Sequence, residues 1–112
     1  MELIYVAGPY RSKCEWQLEG FLRHAEDASL KLWKEGWAVI CPHKNTAHFG
    51  GALGIPDSVW LDGDLEIISR CDAIYMLKGF EDSKGATAEL ERALDLGLDV
   101  YYEDSVEEFI EV

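Results

Sequence analysis

The sequence predicts an α/β fold built on a parallel sheet, and two observations carry that prediction. Short, continuously apolar runs of β-forming residues alternate with longer segments whose apolar residues recur at helical spacing. The apolar runs also lack the polar alternation of a half-exposed strand, which indicates strands covered on both faces. With 112 residues the chain has the length of one domain. A domain of this size buries roughly two-thirds of its unfolded surface without needing a disulfide or a metal.

The first three elements are a strand, a helix and a strand. Residues 3–7 are continuously apolar and end at a Gly-Pro pair, which predicts a buried strand. Residues 15–35 show apolar residues at helical spacing between charges, and Gly36 suits the end of that helix. Residues 38–41 predict a second buried strand, which Pro42 stops. The expected buried stripe of the helix is Leu18, Phe21, Leu22, Ala25, Ser29, Leu32 and Trp33.

A loop, a helix and a strand come next. Residues 43–56 have no periodicity and contain three glycines, which predicts a long loop of the kind that is usually functional or mobile. Asp57 or Ser58 can cap the following helix, which we expect to run to about residue 70. Residues 73–77 are apolar and predict a third buried strand.

The remaining residues repeat the pattern. Ser83 suits the N-cap of a helix over residues 84–96. Residues 99–102 predict a fourth strand, and residues 106–110 a terminal helical turn or two.

This order predicts a flavodoxin- or Rossmann-like three-layer sandwich, with a parallel sheet of four or five strands between two helix layers. We expect residues 1–112 to form a single domain. Open α/β sheets bind ligands beyond the carboxyl ends of their strands. Three segments follow a predicted strand and should meet there: residues 8–13, 42–56 and 78–89.

Acidic residues dominate the charge. Asp and Glu number 22 against 10 Lys and Arg, a net charge of −12. Binding to a nucleic-acid backbone or an anionic membrane depends on clustered Lys and Arg, so we expect neither partner. A small anionic ligand is compatible with this charge, because one helix N-terminus and one Arg can hold it.

Cysteine usage and the N-terminal residues indicate a cytoplasmic protein. The three cysteines are odd in number, widely spaced and without a CxxC pair, which fits reduced thiols better than disulfides or a zinc site. The N-terminus lacks the basic region of a signal peptide, and no apolar run approaches the ~18 residues of a membrane span.

The segment after the first strand offers a candidate ligand contact. Gly8 permits close backbone approach, and Arg11 is one of only ten basic side chains. One interpretation is an Arg that contacts a phosphate or a sugar. The other is a tight turn with a surface Arg, and these residues alone favour neither.

Asp64 is the second candidate. It falls on the apolar face of the helix predicted from residue 57 or 58 to about residue 70, between Leu61 and Ile68. A carboxylate there needs a partner or has a raised pKa, and either condition makes it a candidate acid, base or hydroxyl ligand. The alternative is a helix frame shifted by one residue, with Asp64 solvated beside Asp62 and Glu66.

The helix after Ser83 supplies the third candidate. Ser83, Gly85 and the backbone N–H groups around them would form an anion site at the sheet edge. Glu89 flanks the expected buried stripe and could serve as nucleophile or base. The alternative is an ordinary Glu favoured by the helix dipole. The expected stripe is Ala86, Leu90, Ala93, Leu94 and Gly97.

Two histidines and a tryptophan are weaker candidates. His43 and His48 could ligate a metal with Asp62 or Asp64, but no metal-binding motif is present. Substrate contacts or loop hydrogen bonds are the favoured interpretation, and we expect neither a metal nor a cofactor. Trp60 could stack on a base, although structural packing is the favoured role.

Together these segments resemble the nucleoside 2-deoxyribosyltransferase-like superfamily over about residues 3–102, including its 2′-deoxynucleoside 5′-phosphate N-hydrolases. The match is closest to a small phage and bacterial branch with the same Pro-His-x-Asn-Thr loop. The residues that carry it are Ile4-Tyr5-Val6-Ala7-Gly8-Pro9-Tyr10-Arg11, Asp64-Leu65, Cys71-Asp72-Ala73-Ile74, Ser83-x-Gly85-Ala86-x-x-Glu89 and Arg92-Ala93.

The resemblance implies roles for individual residues. Glu89 matches the nucleophile that attacks the anomeric carbon of the sugar, Asp64 the carboxylate that assists departure of the base, and Tyr5 the tyrosine that orients the nucleophile or sugar. The residues expected to bind substrate are Gly8, Pro9, Arg11, His43, Asn45, Ser83 and Gly85, of which Gly8, Arg11, Ser83 and Gly85 match a 5′-phosphate pocket.

The resemblance also implies a function class. It implies hydrolysis or transfer of the N-glycosidic bond of a nucleoside or nucleoside 5′-monophosphate, by a homodimer or higher homo-oligomer without a cofactor. The alternative from the same fold is a protein that binds or senses a nucleotide without turnover.

Overall fold

A computed structural model describes residues 1–103, and the predicted turn at residues 106–110 lies outside them. A four-stranded parallel sheet is flanked by helices, which confirms the predicted fold class. The strands are β1 (Leu3–Ala7), β2 (Ala38–Ile40), β3 (Ala73–Met76) and β4 (Asp99–Tyr102). The helices are α1 (Glu15–Lys34), α2 (Pro42–Asn45), α3 (Asp57–Ile68) and α4 (Lys84–Asp95). No helix within residues 1–103 is both long and apolar enough to cross a membrane.

The strand order places β1 and β3 at the centre. The order across the sheet is β2-β1-β3-β4, and Tyr5 of β1 pairs with Ile40 of β2 and Ile74 of β3. The chain therefore moves outward from β1 in one direction to β2 and from β3 in the other direction to β4. A crevice for ligands is expected where the order reverses, beyond the carboxyl ends of β1 and β3.

Alternation along β1 divides the core into two clusters. Ile4 and Val6 face the layer that contains α1, whereas Tyr5 and Ala7 face the layer that contains α3 and α4. On the first side the strands meet Ala25, Ala28 and Leu32 of α1. On the second side they meet Ile68 of α3 and Ala86 and Ala93 of α4.

The expectation of a structureless loop over residues 43–56 is wrong in part. Helix α2 occupies the start of this segment, because the fixed φ of Pro42 suits the first position of a helix. A 3-10 turn follows at Ala52–Gly54, with Leu53 at a positive φ of 55°.

Two predicted helix stripes are also wrong in part. Trp33 of α1 is 52% exposed and Ala28 is buried in its place. In the α4 stripe Leu94 is 58% exposed, Gly97 is exposed beyond the end of the helix, and Glu89 is buried. Both helices lie close to the sheet on small alanine side chains, so their bulky neighbours remain at the rim.

Gly8 lies where β1 ends against the residue after β3. The Leu77 N–H donates to the Ala7 carbonyl at 2.8 Å, and a Cβ added to Gly8 would lie 2.7 Å from Leu77 Cβ. Only glycine fits this approach without a shift of the backbone, as the sequence predicts.

Candidate active site

Tyr5 and Glu89 form a hydrogen-bonded pair beneath α4. Tyr5 is fully buried in the middle of β1, and its hydroxyl donates to Oε2 of Glu89. Glu89 follows Ala86 by three residues and precedes Ala93 by four, so all three side chains share the buried face of α4. The sequence places Glu89 beside this face, whereas the structure places it within the face at 7% exposure.

Burial decides the protonation of this pair. Loss of hydration raises the pKa of Glu89 to about 8, the hydrogen bond from Tyr5 opposes that rise, and the charge of Asp64 adds to it. Burial and the neighbouring Glu89 carboxylate also raise the pKa of Tyr5 far above its usual range. Tyr5 therefore keeps its proton and remains a hydrogen-bond donor.

Asp64 joins the pair from α3. It is half-buried on the side of α3 that carries Leu61, Leu65 and Ile68, which is the face the sequence predicts for it. Burial raises its pKa to about 6. Because its charge also raises the pKa values of Tyr5 and Glu89, the three groups belong to one electrostatic unit.

This cluster has the composition of an acid–base site. It contains two carboxyl groups whose pKa values are raised to about 6 and about 8 and a phenol that stays neutral. Pairs of titratable groups held at different pKa values are typical of catalytic acids and bases. Between those two pKa values, the two carboxyl groups together hold one proton.

The segment after β1 is fixed to the segment after β2 by hydrogen bonds. Nε2 of His43 donates to the Pro9 carbonyl at 2.8 Å, and the Tyr10 ring meets the His43 ring edge-on. The Tyr10 hydroxyl donates to the Thr46 carbonyl at 3.2 Å and accepts from the His48 N–H at 3.1 Å. The His43 side chain thus makes a loop hydrogen bond, which is one of the two roles that the sequence favours for the histidines, whereas His48 takes part only through its backbone N–H.

His43 is buried and only partly hydrogen-bonded. Burial lowers its pKa below the usual histidine range, and its Nδ1 has no hydrogen-bond partner within the described residues. Within residues 1–103, no group of three or more His, Cys, Asp or Glu side chains could hold a metal ion. His48 is exposed and has a positive φ of 64°.

Arg11 forms an ion pair with Asp57, for which the sequence predicts only a possible role as a helix cap. Its Nη1 lies 2.6 Å from Oδ2 of Asp57, with both side chains more than half exposed. Asp57 is the first residue of α3, where Pro56 takes the N-cap position. The ion pair ties the segment after β1 to the start of the helix that carries Asp64.

The remaining candidates lie around the carboxyl edge of the sheet. Ser83 caps α4 as predicted, since its Oγ accepts from the Ala86 N–H at 3.1 Å. Gly85 is half-buried in the first turn of α4, and Asn45 is exposed at the end of α2.

Three polar contacts near this edge have no signal in the sequence. Asp57 holds Arg11, and Tyr10 joins two segments as described above. Glu103 accepts from the Lys78 N–H at 2.7 Å and lies 2.7 Å from Nε2 of His24. Each contact joins residues far apart in the chain, so local patterns could not reveal it. Trp60 packs against Phe49 with ring centroids 5.9 Å apart, in agreement with a packing role.

The chain matches one protein-family model and is similar to several solved structures. The family model described as Domain of unknown function (DUF4406) matches residues 2–102. No curated protein matches the chain.

The solved structures similar to the chain include two 2-deoxyribosyltransferases. One is a 2-deoxyribosyltransferase from the psychrotolerant bacterium Bacillus psychrosaccharolyticus, with 26% identity and a TM-score of 0.68 over 89% of this chain and 70% of that one. The other is a 2-desoxiribosyltransferase from Leishmania mexicana, with 20% identity and a TM-score of 0.62 over 91% of this chain. The chain spans 63% of the Leishmania enzyme, and at that identity the likeness shows the fold alone. The likeness to the Bacillus enzyme supports the predicted superfamily.

Proposed function

Because the chain belongs to the DUF4406 family, whose description states no activity, we propose a function from its own site. We propose that it cleaves or transfers the N-glycosidic bond of a nucleoside or a nucleoside 5′-monophosphate. The observation that carries this proposal is the buried Tyr5–Glu89 pair, with Asp64 close enough to affect both pKa values. The likeness to the Bacillus 2-deoxyribosyltransferase supports the same chemistry.

In the proposed reaction Glu89 is the nucleophile. In the minor form in which Asp64 rather than Glu89 holds the shared proton, the ionised Glu89 carboxylate attacks the anomeric carbon. A bond forms from that carbon to a Glu89 oxygen, and the bond from carbon to the base nitrogen breaks. The electron pair leaves with the base, and Asp64 gives the base its proton. Water or a second base then attacks the same carbon, releases Glu89 and returns a proton to Asp64.

The environment of the pair suits that reaction. A carboxylate near the anomeric carbon stabilises the positive charge that develops on the sugar. Tyr5 holds Glu89 in one orientation and favours its ionised form by donating a hydrogen bond. The buried environment of Glu89 strengthens each of these interactions, because the local dielectric constant is low.

The substrate pocket is proposed at the carboxyl edge of the sheet. Its residues are Gly8, Pro9, Arg11, His43, Asn45, Ser83 and Gly85. The hydrogen bond from His43 to Pro9 supports this grouping, because it joins two of the predicted segments directly. We also propose that residues 1–112 form one domain and that the protein is a cytoplasmic homodimer or higher homo-oligomer without a cofactor or metal. A relation to the N-hydrolases and to the phage branch is part of this proposal.

The test is a chromatographic assay for released or exchanged base. Purified protein is incubated with ribo- and deoxyribonucleosides and their 5′-monophosphates, with and without an acceptor base. Release without acceptor indicates a hydrolase, and exchange only with acceptor indicates a transferase. Glu89→Ala should abolish either reaction. Glu91→Ala removes an exposed carboxylate from the same helix and should leave the rate unchanged. Equal rates in both variants would refute Glu89 as the nucleophile.

One observation favours a second candidate, a nucleotide-binding protein without turnover. With a pKa raised to about 8, Glu89 is mostly protonated at neutral pH and could serve as a hydrogen-bond donor to a ligand instead. Saturable binding of a nucleotide, with no release of base from any member of the panel, would support this candidate.

A further inference from the structure

The Arg11–Asp57 ion pair includes Arg11, a residue of the proposed substrate pocket. Arg11 follows β1, and the first turn of α3 carries Asp57. The guanidinium contacts this carboxylate at 2.6 Å. Arg11 therefore has an anionic partner from the protein itself before any ligand binds.

The geometry of α3 connects this pair to the cluster of Tyr5, Asp64 and Glu89. Asp57 and Asp64 are seven residues apart, which is two turns of helix. They consequently lie on nearly the same side of α3, about 10 Å apart along its axis. A sugar whose anomeric carbon lies near Asp64 and Glu89 can extend its 5′ substituent along this side towards Arg11.

A 5′-phosphate would compete with Asp57 for the guanidinium. Arg binds carboxylates and phosphates through the same planar set of donors. A phosphate arriving at Arg11 must displace the Asp57 carboxylate and then remain close to its negative charge. A 5′-hydroxyl meets no such opposition, because it can accept from Arg11 or donate to Asp57 while the ion pair stays in place.

We infer that Asp57 is a specificity-determining residue: by holding Arg11, it makes the protein prefer nucleosides to nucleoside 5′-monophosphates. This inference rests on the proposed function, since it assumes that the 5′ end of a nucleoside lies on the Arg11 side. It assigns a role to the partner of Arg11 rather than to Arg11 alone.

The experiment compares kcat/KM for one nucleoside and its 5′-monophosphate, using the base identified by the substrate panel. Asp57→Asn keeps the shape of the side chain and removes its charge. The ratio of monophosphate to nucleoside activity should rise about fivefold, the upper range for an exposed ion pair. Asp62→Asn removes the same charge from another side of α3 and should change the ratio by less than about twofold. Combining Asp57→Asn with Arg11→Ala should cancel the gain.

Binding provides a second readout that needs no turnover. Dissociation constants of one nucleoside and its 5′-monophosphate are measured by calorimetry in the Glu89→Ala background, with and without Asp57→Asn. If no nucleoside of the panel reacts, the nucleoside that binds most tightly is used. If no base is released in any assay but the ratio of dissociation constants responds to Asp57 alone, the proposed function fails and the inference stands. A wild-type preference for the monophosphate, equal shifts in Asp57→Asn and Asp62→Asn, or no binding of either ligand by any variant would overturn the inference.

Discussion

The two faces of the sheet differ in what they bury. On the face covered by α1, the buried polar side chains include Ser29, whose hydroxyl donates to the Ala25 carbonyl of the same helix, and Tyr75 of β3, but no carboxyl group within residues 1–103 belongs to that core cluster. On the face covered by α3 and α4, a tyrosine and two carboxyl groups lie together. Alternation along one strand, β1, separates these environments. The first face is therefore built for stability, whereas the second carries the proposed chemistry at some cost in stability.

The raised pKa values determine how this cost in stability changes with pH. A carboxyl group whose pKa is higher in the folded chain than in the unfolded chain favours folding less as the pH rises. For Glu89 the loss runs from its ordinary value of 4.5 to about 8, and for Asp64 from 3.8 to about 6. The apolar contacts of the α1 face do not titrate, so they offset this loss at every pH.

The largest expected effect tests whether the α1 face serves stability alone. Ile4→Ala removes a fully buried side chain and should lower the free energy of unfolding by about 2–5 kcal/mol, measured by urea titration. Activity per folded molecule should stay close to that of the wild type. Ile74→Ala is the matched change on the other face, because Ile74 is equally buried and pairs with Tyr5. It should lose similar stability and also activity. Equal activity losses in the two variants would contradict the division of roles.

The second prediction concerns the stability cost of Glu89. Glu89→Gln keeps the side-chain shape but cannot ionise, so the variant should gain stability over the wild type as the pH rises. The gain should be near zero at pH 4.5, grow up to about pH 8 and level off on the order of 5 kcal/mol. Thermal or urea unfolding between these pH values measures it. The exposed Glu91→Gln should show no such trend, and a constant difference at all pH values would show that Glu89 does not titrate as proposed.

The third prediction uses Tyr5 to separate positioning from packing. The reactive form holds its single proton on Asp64, so kcat/KM should be bell-shaped with limbs near the pKa values of about 6 and about 8. Tyr5→Phe removes a hydrogen bond that lowers the pKa of Glu89. The upper limb should therefore move to higher pH, and the maximum should fall about tenfold for each unit that it moves.

A purely structural role for Tyr5 predicts a different result from the pH profile. In that case Tyr5→Phe would lower activity by the same factor at every pH and leave both limbs in place. Phe keeps the ring that fills the core, so a stability measurement on the same variant separates damage to the fold from the shift of the limb.

Sequence patterns were sufficient for the fold because the fold depends on local signals. Apolar runs and helical periodicity predicted the four strands, and Ser83 predicted the start of α4 because an N-cap acts within three residues. The sequence also offered the apolar face of α3 as one of two positions for Asp64, since Asp64 interrupts an apolar stripe there. The predicted burial of Trp33 and Leu94 was wrong. How close a helix lies to the sheet depends on the sheet side chains that it packs against, and these are distant in the sequence.

The site required information that no local pattern contains. Glu89 is buried because Tyr5, 84 residues away in the sequence, provides its hydrogen bond. Arg11 is paired because Asp57 begins a helix 46 residues later. The resemblance to a known superfamily named Glu89, Asp64 and Tyr5 together, but it gave no indication that Arg11 already had an anionic partner.

The smallest predicted effect concerns the N-terminal ends of α1 and α4, which lie in different helix layers. Ser83 caps α4 with a hydrogen bond to the Ala86 N–H, whereas Cys14 at the same position of α1 makes no side-chain cap. Ser83→Ala should therefore cost about 1 kcal/mol in urea unfolding, and Cys14→Ala should cost less than about 0.5 kcal/mol. Because the first turn of α4 precedes Glu89, Ser83→Ala should lower activity as well, whereas Cys14→Ala should not. If both substitutions lowered stability and activity alike, the capped start of α4 would have no special part in holding Glu89 against Tyr5.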